Sequence, residues 1–333
     1  MKKSNNRGGQ PSRTSGAKPG RRNDGPSKST RGERTTKNAR GDRTTKNARG
    51  DRATTPVRVA DASGVVHRPV QKGPPQKGRM NPAFAISGKE RLSLGIHSVR
   101  EALKVRPGAI KKLGLRDDFL RAPQLKELAD LAEAAKIEIK SLTAIELDAI
   151  GSGHHGAAAV LTETPVFNLK NVKDLDPCVL VACDGLEDPT NLGAILRSAW
   201  LLGAKGVLLP QDRSVSLTTA AAKVASGGAE HVPVEICSNL PRELEILREA
   251  GFWIFGLAEK GTKLPWEFKL PSKIVWVIGS ESSGLRVTVE RACDELVKLP
   301  QVPGGSSFNA AVSASMALYE SARQHGFGTT SEA

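Results

Sequence analysis

The residues of this chain whose types and spacing could do chemistry fall in three short segments of its last 150 residues. The first, Asp184-Gly-Leu-Glu-Asp-Pro-Thr-Asn-Leu-Gly-Ala-Ile-Leu-Arg197, reads as a strand end that turns into a helix. Thr190 is placed to cap that helix, Gly193 lets another backbone come close, and Arg197 offers a permanent cation. Gly193 and Arg197, four apart, share a helix face, whereas Asn191 and Arg197, six apart, do not. The second, Val277-Ile-Gly-Ser-Glu-Ser-Ser-Gly284, is an apolar strand entering a Gly/Ser loop that holds one acid, Glu281. The third, Leu299-Pro300 followed by Gly304-Gly-Ser-Ser-Phe-Asn309, opens the last helix with free N–H groups suited to an anion or a polar ligand. Taken singly, each also reads as ordinary structure: a surface arginine, a solvated turn, a capped helix.

The elements that must position these residues alternate. From Cys178 the pattern predicts strands at Val179–Cys183, Gly206–Leu209, Val232–Ile236, Phe252–Leu257, Ile274–Ile278 and Glu295–Leu299. Between them it predicts helices at Asn191–Leu202, Thr218–Ala225, Leu240–Ala250 and Phe308–Arg323. Such alternation predicts an α/β domain built on a mainly parallel sheet covered on both faces, with ligands at the carboxyl ends of its strands. Ahead of it, residues 88–165 predict a small α/β domain. Its helices lie around Ile96, Val99, Leu103 and around Leu125–Ala135, with strands at Ile110–Leu115, Ile137–Ile139 and Ala157–Leu161. Residues 166–177 read as a linker.

Several familiar chemistries are excluded. No G-x-G-x-x-G follows the first strand of the larger domain, and Gly256–Gly261 resembles a P-loop only until Thr262-Lys263 inverts the required order. His154-His155 has no acid or cysteine close in sequence and reads as a turn, so no metal site is expected. The four cysteines form no C-x-x-C pair, which argues against a zinc knuckle or a disulfide framework and predicts a reducing compartment. No signal peptide or spanning segment is legible, so a soluble cytoplasmic protein is expected.

The net charge of +14 has a location. Residues 1–87 hold 21 Lys/Arg and 5 Asp/Glu, or +16; the other residues hold 28 and 30, or −2. This tail is rich in Gly, Ser, Thr and Asn and carries a perfect tandem repeat, Arg34–Asp42 and Arg43–Asp51, without an apolar stripe. Its composition predicts disorder, as does that of residues 328–333; the basic charge reads either as a solubilising extension or, the reading favoured here, as an arm with salt-dependent, sequence-blind grip on RNA phosphates.

Taken together and in order, the three segments resemble the motifs of the SpoU (TrmH) family of RNA ribose 2′-O-methyltransferases, part of the SPOUT class. The matching stretches are Asn191–Arg197, Gly279–Gly284 and Leu299–Asn309, with Ser282, Gln301 and Phe308 departing from the usual pattern. The region from Gly95-Ile-His-Ser-Val to His155-Gly is similar to the ribosomal-protein-like RNA-binding domain of the subgroup that methylates a guanosine of large-subunit rRNA. The resemblance implies a trefoil-knotted sheet over residues 178–327, and a homodimer with the active site at its interface. It also implies S-adenosylmethionine bound at Gly256, Gly279, Leu299 and Phe308. Arg197 would then be the key catalytic residue, with Asn191, Glu281, Ser307 and Asn309 orienting the hydroxyl, Arg197 and the loops. Two rivals stand beside rRNA methylation: the same reaction on tRNA, and a donor-free RNA-binding assembly factor.

Overall fold

The computed structural model describes residues 84–327 apart from Lys89, Glu163, Val166 and Arg213. The predicted basic tail therefore lies outside the described residues except for its last four, and residues 328–333 lie outside as well. Phe84 is a buried core residue, so the small domain begins before the predicted residue 88.

The small domain holds β1 (Glu90–Leu94), α1 (Ile96–Val105), β2 (Ile110–Arg116), α2 (Pro123–Ala134), β3 (Ile139–Leu142), α3 (Ala144–Ile150) and β4 (Ala157–Thr162). The sheet order is β1-β4-β2-β3, with β4 antiparallel to both neighbours and β2 parallel to β3. Alternate residues of β4 feed two cores. Ala157, Ala159 and Leu161 pack with Val99, Leu103 and Leu128 of α1 and α2, while Ala158 and Val160 pack with Phe84, Leu92 and Leu147.

Two elements here escape sequence reading. In β1, Arg91 and Ser93 are buried polar residues, which break the apolar pattern. The short helix α3 is fixed at its start by a capping box, in which Thr143 Oγ1 accepts from the Glu146 N–H and Glu146 accepts from the Thr143 N–H. The strand predicted at Ile137–Ile139 starts later, because Ile137 still donates its N–H to Ala132 to close α2.

The larger domain contains α4 (Leu169–Val172), β5 (Cys178–Asp184), α5 (Pro189–Leu201), β6 (Gly206–Pro210), α6 (Thr219–Ala225), α7 (Gly228–His231) and β7 (Val234–Cys237). It continues with α8 (Leu240–Glu249), β8 (Trp253–Leu257), β9 (Lys273–Gly279), α9 (Val287–Glu290), β10 (Glu295–Val297) and α10 (Ala310–Gln324). Its six strands run in the order β10-β8-β9-β5-β6-β7, and every pairing is parallel. β5 is buried along its whole length, as a central strand covered on both faces must be. Val179, Val181 and Cys183 face α5 and α10, while Cys178, Leu180 and Ala182 face α8. The segment predicted as a linker carries α4, and the Phe167 ring lies against Gly206.

From β5 the chain moves outward through β6 and β7, then crosses to β8 on the far side and returns to fill the gap with β9. The order reverses there, and the carboxyl ends of β5 and β9 stand side by side with Asp184 opposite Gly279.

Candidate active site

Three polar side chains from three distant segments meet beside those strand ends. Asn191 Nδ2 donates to Glu281 Oε1 at 2.7 Å. Asn309 Nδ2 donates to Asn191 Oδ1 at 2.8 Å and to Glu281 Oε1 at 2.6 Å. Asn309 also caps α10, its Oδ1 accepting from the N–H groups of Ala311 and Val312. One amide thus works at both ends: its oxygen starts the last helix and its nitrogen ties the two other segments to it. Only an amide has both an acceptor and two donors for this task. Asn191 is buried, whereas Glu281 and Asn309 face solvent, so the cluster has an open side.

The frame under this cluster includes residues that the sequence did not single out. Asp184, fully buried at the end of β5, accepts from the Arg286 backbone N–H at 2.7 Å and from Arg286 Nε at 2.6 Å. This double hold pins the far end of the loop that carries Glu281. The loop turns back on itself, with Ser280 and Gly284 exchanging backbone hydrogen bonds. An acid closing an otherwise apolar strand was the signal for Asp184; nothing in the sequence marks Arg286 as its partner. Helix α5 is capped by Asp188, not by Thr190 as predicted, since Asp188 Oδ1 accepts from the Thr190 N–H. Pro189 at the first helical position makes Asp188 the cap residue. Gly193 behaves as predicted: a Cβ there would stand 2.4 Å from the Ala221 carbonyl oxygen, so α5 and α6 meet backbone to backbone.

Arg197 stands apart from the cluster. It lies about 9 Å further along the α5 axis on another face, is exposed, and reaches Ser226 Oγ at 3.5 Å. Ser307 is exposed in the segment before α10 and lies outside the Asn191–Glu281–Asn309 network. His154, predicted to lack an acid, meets Asp148 at 3.1 Å and accepts from the Gly156 N–H, which is a turn contact in the small domain.

The residues expected to hold a methyl donor occupy the adjoining strand ends. Gly279 closes β9, and a Cβ on it would stand 2.3 Å from the Gly284 carbonyl carbon, so only glycine lets the loop fold back here. Gly256 lies in β8 beside it, with Cys293, Leu285 and Leu296 filling the space a side chain would need. Leu299 and Phe308, both half-buried, bracket the exposed Gly304-Gly305-Ser306-Ser307 segment. Apolar side chains flanking a run of exposed backbone N–H and C=O groups suit a purine nucleoside with a polar tail, so these residues fit S-adenosylmethionine. Leu299, Asn191 and Asn309 also line a cleft of about 660 Å³, which continues along Val312, Met316 and Tyr319 of α10 to Trp266.

Residues 178–319 match the SpoU rRNA methylase family, and residues 94–165 match the RNA 2′-O ribose methyltransferase substrate-binding family. The chain is 34% identical over 236 residues to a 23S rRNA (guanosine-2′-O-)-methyltransferase of Pseudomonas putida, covering 69% of this chain and 95% of that one. The corresponding Vibrio cholerae enzyme is 34% identical over 241 residues, covering 70% and 96%. The crystal structure of the SpoU methyltransferase AviRb from Streptomyces viridochromogenes, in complex with the cofactor AdoMet, superposes with a TM-score of 0.61 at 25% identity. That match covers 72% of this chain and 92% of that one.

Proposed function

The chain belongs to the SpoU rRNA methylase family, and from that premise we propose that it methylates the 2′-hydroxyl of a guanosine ribose in large-subunit rRNA. The observation that carries this reading is the meeting of Asn191, Glu281 and Asn309, one from each of the three motifs, at the carboxyl ends of β5 and β9. S-adenosylmethionine, when bound, supplies a methyl group on a sulfonium, ready for in-line displacement. Gly279, Leu299 and Phe308, with the Gly256 backbone, would hold it, and the Asn191–Glu281–Asn309 cluster fixes the loops that would form this seat. We assign the family's knotted path to the segment running from β9 into α10, on family membership.

Arg197 works on the ribose side. A guanidinium stays protonated at any working pH, so it is not a base. It acts as an electrostatic clamp on an RNA phosphate and on the 2′-oxygen as that oxygen gives up its proton and bonds to carbon. The proton leaves to a phosphate oxygen or to water. Ser307, exposed beside Phe308, is assigned to orienting the hydroxyl on its match to the family motif.

The separation of Arg197 from the cluster along α5 supports a site completed by a second copy. So does the exposed apolar stripe of Val312, Met316 and Tyr319, spaced along one face of α10 beside exposed Trp266. We read these together as a homodimer in the cytoplasm, with Arg197 of one copy facing the donor seat of the other. No helix among the described residues is long and apolar enough to cross a membrane.

The test is methyl incorporation from labelled donor into large-subunit rRNA and tRNA separately, with Arg197→Ala alongside. We expect alkali-resistant label at one rRNA dinucleotide and a loss of about 100- to 1,000-fold in the mutant. Label in tRNA alone would move the substrate. No label in either RNA from a folded protein would leave the donor-free assembly factor.

A further inference from the structure

Among the described residues, the only side-chain hydrogen bond of Arg197 goes to Ser226 Oγ. Ser226 ends α6 in the left-handed region at φ 50°, and Gly227 follows at φ 107°. Gly228 then starts α7 so close to α5 that a Cβ on it would lie 2.6 Å from the Leu196 carbonyl oxygen and 3.0 Å from the Arg197 Cα. The corner between α6 and α7 is therefore laid on the stretch of α5 that carries Arg197.

A helix of four residues such as α7 does not hold itself together. Glu230 of α7 is buried and ion-paired with Arg91 Nη2 and with Arg106 Nη1, the latter at 3.3 Å. His231 meets Glu101 Oε2 at 2.9 Å and stacks on the Trp200 ring of α5, with centroids 4.2 Å apart. Arg91 lies on β1, Glu101 on α1 and Arg106 just after it, so all three belong to the small domain. The same domain reaches α6, where Ser98 Oγ donates to the Ala222 carbonyl and Lys223 Nζ donates to the Ser152 carbonyl, both at 3.4 Å. Burying the Glu230 carboxylate is costly and is offset only while the arginines are in place. The corner under Arg197 thus depends on a charge cluster whose cationic half comes from the other domain.

We infer that Glu230 is a positioning residue for Arg197. By clamping α7 to the small domain, it fixes Ser226 and the corner beneath α5, and so sets where the guanidinium stands. The small domain then does more than bind RNA: its seating on α7 arms the cation of the other domain. This rests on Arg197 being the working cation of the reaction proposed above.

The test compares the full-length wild type with Glu230→Gln, Arg197→Lys and the double variant. Single-turnover methyl transfer to a large-subunit rRNA transcript is read together with donor affinity by calorimetry and RNA affinity by fluorescence anisotropy. We expect Glu230→Gln to slow transfer at saturation by about 10- to 100-fold, as small misplacements of a working group do. Donor and RNA affinities should stay within about twofold of wild type, the split expected of an interaction made only in the transition state. In the Arg197→Lys background the same substitution should cost little more, because both act through one group. Equal slowing in both backgrounds, or weakened donor binding with an intact saturated rate, would overturn the inference. An Arg197→Lys rate equal to wild type would instead remove Arg197 from the reaction, and the inference with it. Should Glu230→Gln not fold, Glu101→Gln, which frees His231 from the same side, must give the same pattern; an unchanged rate there overturns the inference too.

Discussion

Asn309 is the residue on which the site turns, because it serves as helix cap and as donor to both other motifs. Replacing it separates the two duties. Asn309→Asp keeps an oxygen to cap α10 but sets a carboxylate against Glu281, so thermal stability should fall through that repulsion although the cap is kept, and donor affinity should fall by about tenfold or more. Asn309→Ala loses both duties, and should lower stability by about 1 kcal/mol as well. Calorimetric titration of donor with parallel thermal melts checks both. At this scale the sequence was informative where type and order sufficed: Asn191, Glu281 and Asn309 are legible as one set only because three segments recur in a family order. Asp184 and Arg286 were not legible as a pair, since 102 positions separate them and only the folded sheet brings them together. A cap at Thr190 is the wrong expectation because Pro189, at the first helical position, makes the residue before it the cap.

At the level of elements, the loop after β9 is held by one buried carboxylate. Asp184→Asn keeps the size of the side chain but weakens the charge-assisted hold on the Arg286 guanidinium. It should destabilise the fold by about 2 kcal/mol and weaken donor binding, read from the urea midpoint and from calorimetry. The six parallel strands were readable from apolar runs alternating with amphipathic helices, and their observed ends differ from expectation by about two residues or fewer. The small domain was harder. β1 buries Arg91 and Ser93, and Arg91 is there to meet Glu230 of the other domain, so a polar residue that defeats the pattern is explained only by a distant partner. The helices α4, α7 and α9 have four residues each, too few for any periodicity to show.

For the whole molecule, the exposed face of α10 and the basic tail each give a prediction. Tyr319 is 63% exposed in a single copy, so Tyr319→Glu should leave the fold intact while placing a charge in the face proposed above to pair with a second copy. Light scattering should then report a monomer, and methyl transfer should be abolished; a fully active monomer would remove the shared site. Deleting residues 1–83, which stops short of the core residue Phe84, takes away all 21 basic side chains of the tail. Methylation should persist, while the slope of log affinity for RNA against log salt should flatten by about 0.7 for each phosphate that the tail neutralises. An unchanged slope would show that the tail does not grip RNA.

The double duty of Asn309 also bears on the protein's own manufacture. A chain emerging from the ribosome amino end first shows the basic tail and the small domain, then β5 to β9, before residue 309 is released. Until α10 can form, the motif loops lack the amide that joins them. The cluster of Asn191, Glu281 and Asn309 is thus complete only once the helix that Asn309 caps has formed.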